Sequence, residues 1–185
     1  MNETIDNILN RKSIRAYTDQ PVSKSDLDLI LQCGVRAATA MNRQPWHFTV
    51  IENREFLNRI SAKNKEIFTA SADEHRRKMA AGSKFDSFWG TPMCIVVSGA
   101  NNEPNTIADC ANAVENMAIA ATSLELGSCY LASFKVSLIQ PGGESLRAEL
   151  GIPDGYIPHY ALSIGHPAED PQLKPRNMDV VNYVK

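Results

Sequence analysis

Apolar residues recur every three to four positions in some stretches of this chain and every second position in others, and the switches between the two periods divide it into elements. Ile5, Ile8 and Leu9 predict a short helix that ends at or just before Arg11. Thr18 to Pro21 forms a turn, and Ser23-Lys24-Ser25-Asp26 is a capping-box pattern in which the serine hydroxyl accepts from a free N–H of the first turn. The helix it opens carries a buried stripe of Leu27, Ile30, Leu31 and Val35. At Trp46 the period drops to two, which puts Trp46, Phe48 and Val50 on one side of a strand and His47, Thr49 and Ile51 on the other. Asn53 caps a helix bearing Phe56, Leu57 and Ile60, and Ser61 to Phe85 continues as helix with sparse apolar positions, expected to be exposed. Gly90-Thr91-Pro92 breaks it. Met93 to Ser98 is a continuous apolar run, the pattern of a central strand buried on both faces.

The second half begins with a long helix from Asn105 to Leu126, with Ile107, Cys110, Ala111, Val114, Met117, Ala118, Ala121 and Leu124 in register and Gly127 as its left-handed cap. Ser128 to Leu131 is a short strand, Gly143 to Leu150 a short helix closed by Gly151, and Tyr160 to Ile164 a further strand. Pro167, Pro171 and Pro175 forbid regular structure from His166 to Arg176, after which Val180, Val181, Tyr183 and Val184 predict an extended terminal strand. Helices outnumber strands without strict alternation, so the pattern predicts an α+β sandwich rather than a doubly wound sheet. The 185 residues are expected to form one domain, residues 1–185. No G-x-G-x-x-G lies between a strand and a helix, which removes a Rossmann nucleotide site, and there is no Walker pattern.

Charge adds little at the level of the whole chain. Lys and Arg number 19 against 21 for Asp and Glu, so no overall field recruits nucleic acid or an anionic membrane, and any anion site must be local. No segment is apolar for long enough to span a bilayer, and the N-terminus carries no basic region followed by an apolar run. Cys33, Cys94, Cys110 and Cys129 are widely spaced within apolar stretches, the pattern of reduced core thiols in a cytoplasmic protein. His47, His75, His159 and His166 lack metal-ligand spacing, so no metal is expected. Asp109, Glu115 and Asn116 read as the polar face that a long helix needs in any case.

Two segments carry candidate chemistry. Arg11, Lys12, Ser13 and Arg15 put three cations and a hydroxyl within five residues, a set able to make several charge-assisted hydrogen bonds to one phosphate; the alternative is a solvated basic turn. Lys174 and Arg176 form a second basic pair on a proline-stiffened tail. Ala38-Thr39-Ala40-Met41-Asn42-Arg43-Gln44-Pro45-Trp46 brings small residues and two primary amides to the edge of an aromatic strand, where a flat ligand could approach the backbone; an ordinary helix-to-strand loop is the competing reading.

Together these segments resemble the FMN-dependent nitroreductases over essentially the whole chain. The opening motif reads Arg11-Lys12-Ser13-Ile14-Arg15-Ala16-Tyr17, and the second landmark is Ala38 to Trp46, with Ala38-Thr39 where the family usually has Pro-Ser. Phe88-Trp89-Gly90-Thr91-Pro92 resembles the family's entry to its central strand, and Leu126 to Leu131, Leu150 to Pro153 and Gly165-His166-Pro167 follow in the expected order. The resemblance implies a nitroreductase-like sandwich: a mainly antiparallel central sheet flanked by helices, in an intertwined homodimer with a C-terminal extension and flavin sites at the subunit interface.

Residue by residue, the resemblance implies that Arg11 and Ser13 bind the FMN phosphate with Lys174 or Arg176, and that Lys12 supports the phosphate and ribityl chain. It places Arg15 toward N1 and O2 of the ring, where positive charge stabilises the reduced flavin. The loop Ala38, Thr39, Ala40 and Asn42, with Gln44 nearby, contacts the flavin from the other subunit. The backbone of Leu131, Ala132 and Ser133 passes along the ring and offers an N–H near N5 or O4, in a stretch that lacks the family's glycine-containing turn. No side chain is assigned as catalytic. The implied activity is ping-pong transfer of hydride from NADH or NADPH through FMN to a nitroaromatic, a quinone or another planar acceptor, with residues 63–84 as a candidate lid. Reductive dehalogenation or other flavin chemistry on the same scaffold, and FMN storage or sensing without turnover, are the alternatives.

Overall fold

A computed structural model describes residues 2–185. Helix α1 (Glu3–Asn10) opens with the Asn2 side chain accepting from the Ile5 N–H, and α2 (Lys24–Gly34) with the Ser23 hydroxyl accepting from the Asp26 N–H, as the capping box requires. Strand β1 (Trp46–Ile51) follows, then α3 (Arg54–Thr69), α4 (Glu74–Ala81) and strand β2 (Met93–Ala100). Helix α5 (Thr106–Ser123), strand β3 (Gly127–Leu131), the short helices α6 (Val136–Ile139) and α7 (Glu144–Glu149), and strand β4 (Tyr156–Gly165) complete the regular elements. All pairings are antiparallel in the order β1-β2-β4-β3, so β2 and β4 are interior and fully paired. The apolar run at Met93 is therefore the central strand that its pattern predicts.

The sheet separates two apolar layers. Ile95, Val97, Leu162 and Ile164 face Ile30 of α2 and Val114, Met117 and Ala121 of α5, while Cys94, Val96 and Ala161 face Leu57 and Ile60 of α3 together with Phe88 and Phe134. The alternation in β1 sorts as expected, with Trp46, Phe48 and Val50 on the α2–α5 side and Ile51 on the α3 side.

Four expectations need correction. Helix α5 stops at Ser123 rather than Leu126, and its left-handed residue is Glu125 at φ 58°, with Leu126 N–H donating back to the Ala121 carbonyl at 2.8 Å. Gly127 instead starts β3, where a β-carbon would come within 2.8 Å of Ile14, so its lack of a side chain seats the 11–15 segment on the sheet. The stretch after Ser61 is not simply exposed: α3 buries Ser61, Asn64 and Phe68, and the Asn64 amide donates to the Phe134 carbonyl at 2.6 Å while its oxygen accepts from Ser137 N–H at 2.8 Å. No terminal strand forms at 180–184: the segment pairs with no strand, and Val180, Tyr183 and Val184 are exposed. Finally, Cys33 is exposed at the end of α2, whereas Cys94, Cys110 and Cys129 are buried. Burial raises all three of those thiols, Cys110 to about 12, which leaves them protonated and inert at neutral pH.

Candidate active site

The basic segment is an edge strip of the sheet. After α1 the chain runs extended from Arg11 to Thr18, Ser13 bridging Ser128 in parallel and Ile14 N–H donating to the Ser128 carbonyl at 2.8 Å. Its other edge is covered by the start of the C-terminal tail: Thr18 N–H donates to His166 O and Ala168 N–H to Ala16 O, each at 2.9 Å, and Arg15 N–H donates to the Glu169 carboxylate. The strip is thus held on both sides, and its side chains start from a fixed backbone. Ser13 lies opposite Ser128, and alternation along the extended strip puts Arg11 and Arg15 on the same side as Ser13. Burial raises the neighbouring Cys129 thiol while Arg15, Ser13 and Arg11 pull it down.

The cations are not yet committed to strong partners. Arg11 Nε lies 3.2 Å from Glu115, Lys12 pairs with Asp170, and the two acids are 49% and 90% exposed. Exposed pairs of this kind contribute about 0–1 kcal/mol, so a phosphate dianion, with more charge and more acceptor oxygens, displaces them readily. Lys174 and Arg176 are exposed on the tail and make no ion pair with another described residue. Asp170, the residue paired to Lys12, is four positions before Lys174, so at most about 14 Å of chain separates them.

The loop from Ala38 to Gln44 is strained. Met41, Asn42 and Gln44 all have positive φ, at 51°, 53° and 49°, a conformation that residues with a β-carbon resist and that concentrates at functional sites. Thr39 Oγ1 accepts from Gln44 N–H at 3.3 Å, and Asn42 Oδ1 accepts from Gln44 Nε2 at 3.1 Å. Helix α5 fixes the loop from below. Asp109, 5% exposed, accepts from Ala40 N–H at 3.3 Å; Asn112 donates to Ala38 O and Asn116 to Cys33 O, both at 3.2 Å. Asp109 and Asn116 read from sequence as an ordinary polar face and Asn112 carried no reading; the signal that could have found them is the stripe 109, 112, 116 on a helix rich in alanine and apolar residues. Asp109→Ala should therefore free the loop while leaving the sheet intact, costing about 1–3 kcal/mol in urea unfolding and weakening ligand binding at residues 38–44. An unchanged urea midpoint would remove this role.

Within this chain the loop and the strip are anchored on different faces of α5. Ala40 is anchored at Asp109 and Arg11 at Glu115, positions roughly 120° apart around α5 and about 9 Å apart along it. By contrast, Leu131, Ala132 and Ser133 lie beside the strip at the end of β3. Ala132 has φ −115° and ψ −31°, within reach of any residue, so this turn does not need the glycine it lacks. Ser133 opens a 3-10 turn without a side-chain cap, which leaves its first N–H groups available.

Beyond β3 opens a cavity of about 410 Å³ lined by Phe68, Met79, Phe85, Trp89, Leu131 and Ser133 among others. Helix α4 and residues 82–87 form its outer wall, so the candidate lid does border a pocket. The Arg15 guanidinium lies 5.5 Å from the centre of the Trp89 ring and joins this pocket to the strip.

The frame is an antiparallel α+β sandwich with a cationic edge strip beside an aromatic pocket. The chain belongs to the nitroreductase family, whose sequence model matches residues 8–166. An FMN reductase (NADPH) of Bacillus subtilis is 29% identical over 185 residues, spanning 95% of this chain and 70% of that protein. A relative from Archaeoglobus fulgidus, named for NADH dehydrogenase or NAD(P)H nitroreductase activity, is 30% identical over 92% of this chain and 88% of its own. Among solved structures, a nitroreductase with bound FMN from Bacteroides fragilis superposes with a TM-score of 0.91 at 29% identity, and one from Desulfitobacterium hafniense with 0.93 at 25%; each comparison covers both chains completely. The expected sandwich and family are both borne out.

Proposed function

We propose that this protein is an NAD(P)H-dependent FMN oxidoreductase, one domain per subunit, which acts as a homodimer on nitroaromatics, quinones or related planar acceptors by a ping-pong mechanism. The observation that carries the reading is the extended strip bearing Arg11, Ser13 and Arg15 against β3, joined to an aromatic-lined pocket by Arg15 over the Trp89 ring. The donor set fits FMN: two guanidinium groups, an ammonium and a hydroxyl for a phosphate and ribityl chain, available N–H groups at Ala132–Ser133 for the ring edge, and apolar walls for its exposed face. Relatives named as FMN reductase (NADPH) and as nitroreductase with bound FMN support the same cofactor and donor.

When bound, FMN supplies the two-electron carrier between the nicotinamide and the acceptor. Arg11 and Ser13 hold its phosphate, joined by Lys174 or Arg176 of a tail that starts alongside the strip, and Lys12 steadies the phosphate and ribityl oxygens. Arg15 would face the flavin ring and supply positive charge that favours its reduced form. Thr39 and Asn42, with Ala38, Ala40 and Gln44 around them, belong to the site of the second subunit, since α5 keeps them away from the strip of their own. The nicotinamide and the acceptor would use the same pocket in turn, hence ping-pong order. Buried, unpaired thiols at Cys94, Cys110 and Cys129 are consistent with a reducing, cytoplasmic setting.

Anaerobic mixing tests the activity. The yellow absorption of the FMN-loaded protein should bleach within seconds with NADH or NADPH and return on adding a quinone. Colour that persists with both donors would leave a storage or sensing protein in place of an enzyme.

A further inference from the structure

We propose that the pocket beside Trp89 selects flat aromatic ligands that carry a negative charge, with Trp89 as the stacking wall and Lys84 as the contact for the charge. This rests on the reading of that pocket as the acceptor site.

The walls favour π-systems. Phe68 and Phe85 meet edge to face at 5.8 Å and 77°, which fixes both rings, and Met79 and Leu131 line the same pocket. Trp89 is held outward at a cost. Its φ is 58°, followed by Gly90 at φ 68°, so a residue with a large side chain occupies the left-handed region beside a glycine that does so freely. Asp86 imposes this turn: its carboxylate accepts from the N–H of Phe88 at 2.9 Å and of Gly90 at 2.8 Å, and from the Arg54 guanidinium, which also donates to the Thr91 carbonyl at 3.3 Å. The strained turn does not bury the indole, which stays 42% exposed at the mouth of the pocket. A clamp that spends three hydrogen bonds to keep an aromatic ring out of the core is accounted for by what the ring touches outside it.

The charge around the pocket is one-sided. Among the described residues, Asp86 is the acid in the lining, and it is fully engaged: burial pushes its carboxyl up, yet the Arg54 bond and the two N–H donors outweigh this and hold it below the usual carboxylate range. It stays charged and compensated at neutral pH. Lys84 lines the pocket without an ion pair to any described residue. Arg15 lies over the Trp89 ring and Arg76 over the Phe68 ring, at 5.5 and 5.6 Å, so two further cations back the same walls, Arg76 with Asp73 at 3.7 Å. A neutral aromatic gains the walls alone, whereas an aromatic carboxylate or sulfonate gains the rim as well.

The test uses two pairs of ligands matched in shape and different in charge, on the FMN-loaded protein at low salt. For turnover, 4-nitrobenzoate should show a KM about fivefold below that of 4-nitrobenzamide, the size expected for one partly solvated charge contact. Lys84→Gln should bring the two KM values together. Trp89→Ala should raise both by about tenfold with kcat moving less, and Trp89→Phe should recover most of the loss. Calorimetric binding of 2-naphthoate and 2-naphthamide, which need no electron transfer, should follow the same order. Equal affinities for charged and neutral members, or wild-type affinities in Trp89→Ala, would overturn the proposal. Failure of the oxidoreductase reading is separate: it appears as a wild-type protein whose colour neither NADH nor NADPH bleaches.

Discussion

Arg11→Ala is expected to lower affinity for FMN by about 10- to 150-fold and to leave affinity for riboflavin unchanged. The guanidinium sits at the end of α1, half-enclosed by the strip and α5, and its present partner Glu115 is an exposed acid. Exchanging that partner for a phosphate dianion replaces a weak pair with a charge-assisted, two-point contact, and removing one such contact costs about 1.5–3 kcal/mol. Riboflavin lacks the phosphate, so it separates loss of this contact from general damage to the pocket. Loss of the Arg11–Glu115 pair itself is worth about 0–1 kcal/mol and is too small to produce the effect. Arg176→Ala should act in the same direction if the tail closes over the phosphate. Equilibrium dialysis of FMN and riboflavin against the two variants decides the matter: an FMN-to-riboflavin preference that survives in both would remove the phosphate assignment.

How much of this could be read before the fold was known depends on whether the information is local. Helix starts at Ser23 and Asn53 were legible, because a cap is a contact across three residues and its chemistry is written in the segment itself. The central strand was legible because burial on both faces demands an unbroken apolar run. The end of α5 was not. Gly127 looked like a cap by composition, but Glu125 takes the left-handed turn two residues earlier, and the glycine is needed for a neighbour, Ile14, that lies 113 positions away in the chain. The terminal strand failed for a related reason: Val180 and Val181 have strand propensity, but a strand also needs an edge to pair with, and propensity says nothing of that.

The site divides along the same line. The basic strip and the amide loop were visible as clusters, since their members are adjacent in sequence. Their supports were not. Asp109, Asn112 and Asn116 act on residues 33–40 from a helix that begins over sixty positions later, and Asp86 shapes Trp89 through backbone N–H groups that carry no side-chain signature. Trp89 itself stood in a motif without a role of its own; its positive φ and its contact with Arg15 mark it out in the structure.

Ile8→Glu combined with Leu29→Glu is expected to convert a dimer into monomers that no longer retain FMN. Ile8 and Leu29 are 51% and 48% exposed, and with Ile119 and Ala120 of α5 they border an open groove of about 600 Å³; Ile5 nearby on α1 is 44% exposed. Together with Val180, Val181 and Tyr183 of the tail this is more exposed aliphatic and aromatic surface than a monomer gains anything by showing. On the dimeric reading proposed above, the occupant would be a second copy of the chain, which would bring its own Ala38–Gln44 loop to the strip. Burying an Ile or Leu contributes about 1.5–3 kcal/mol, and a carboxylate in its place adds a desolvation cost, so each glutamate should raise the dissociation constant by well over tenfold and the pair by several hundredfold or more. Sedimentation velocity reports the mass and the flavin absorbance travelling with it. Dimers that persist would show that another face holds the subunits together, and monomers that keep FMN at full affinity would show that each site is complete within one chain.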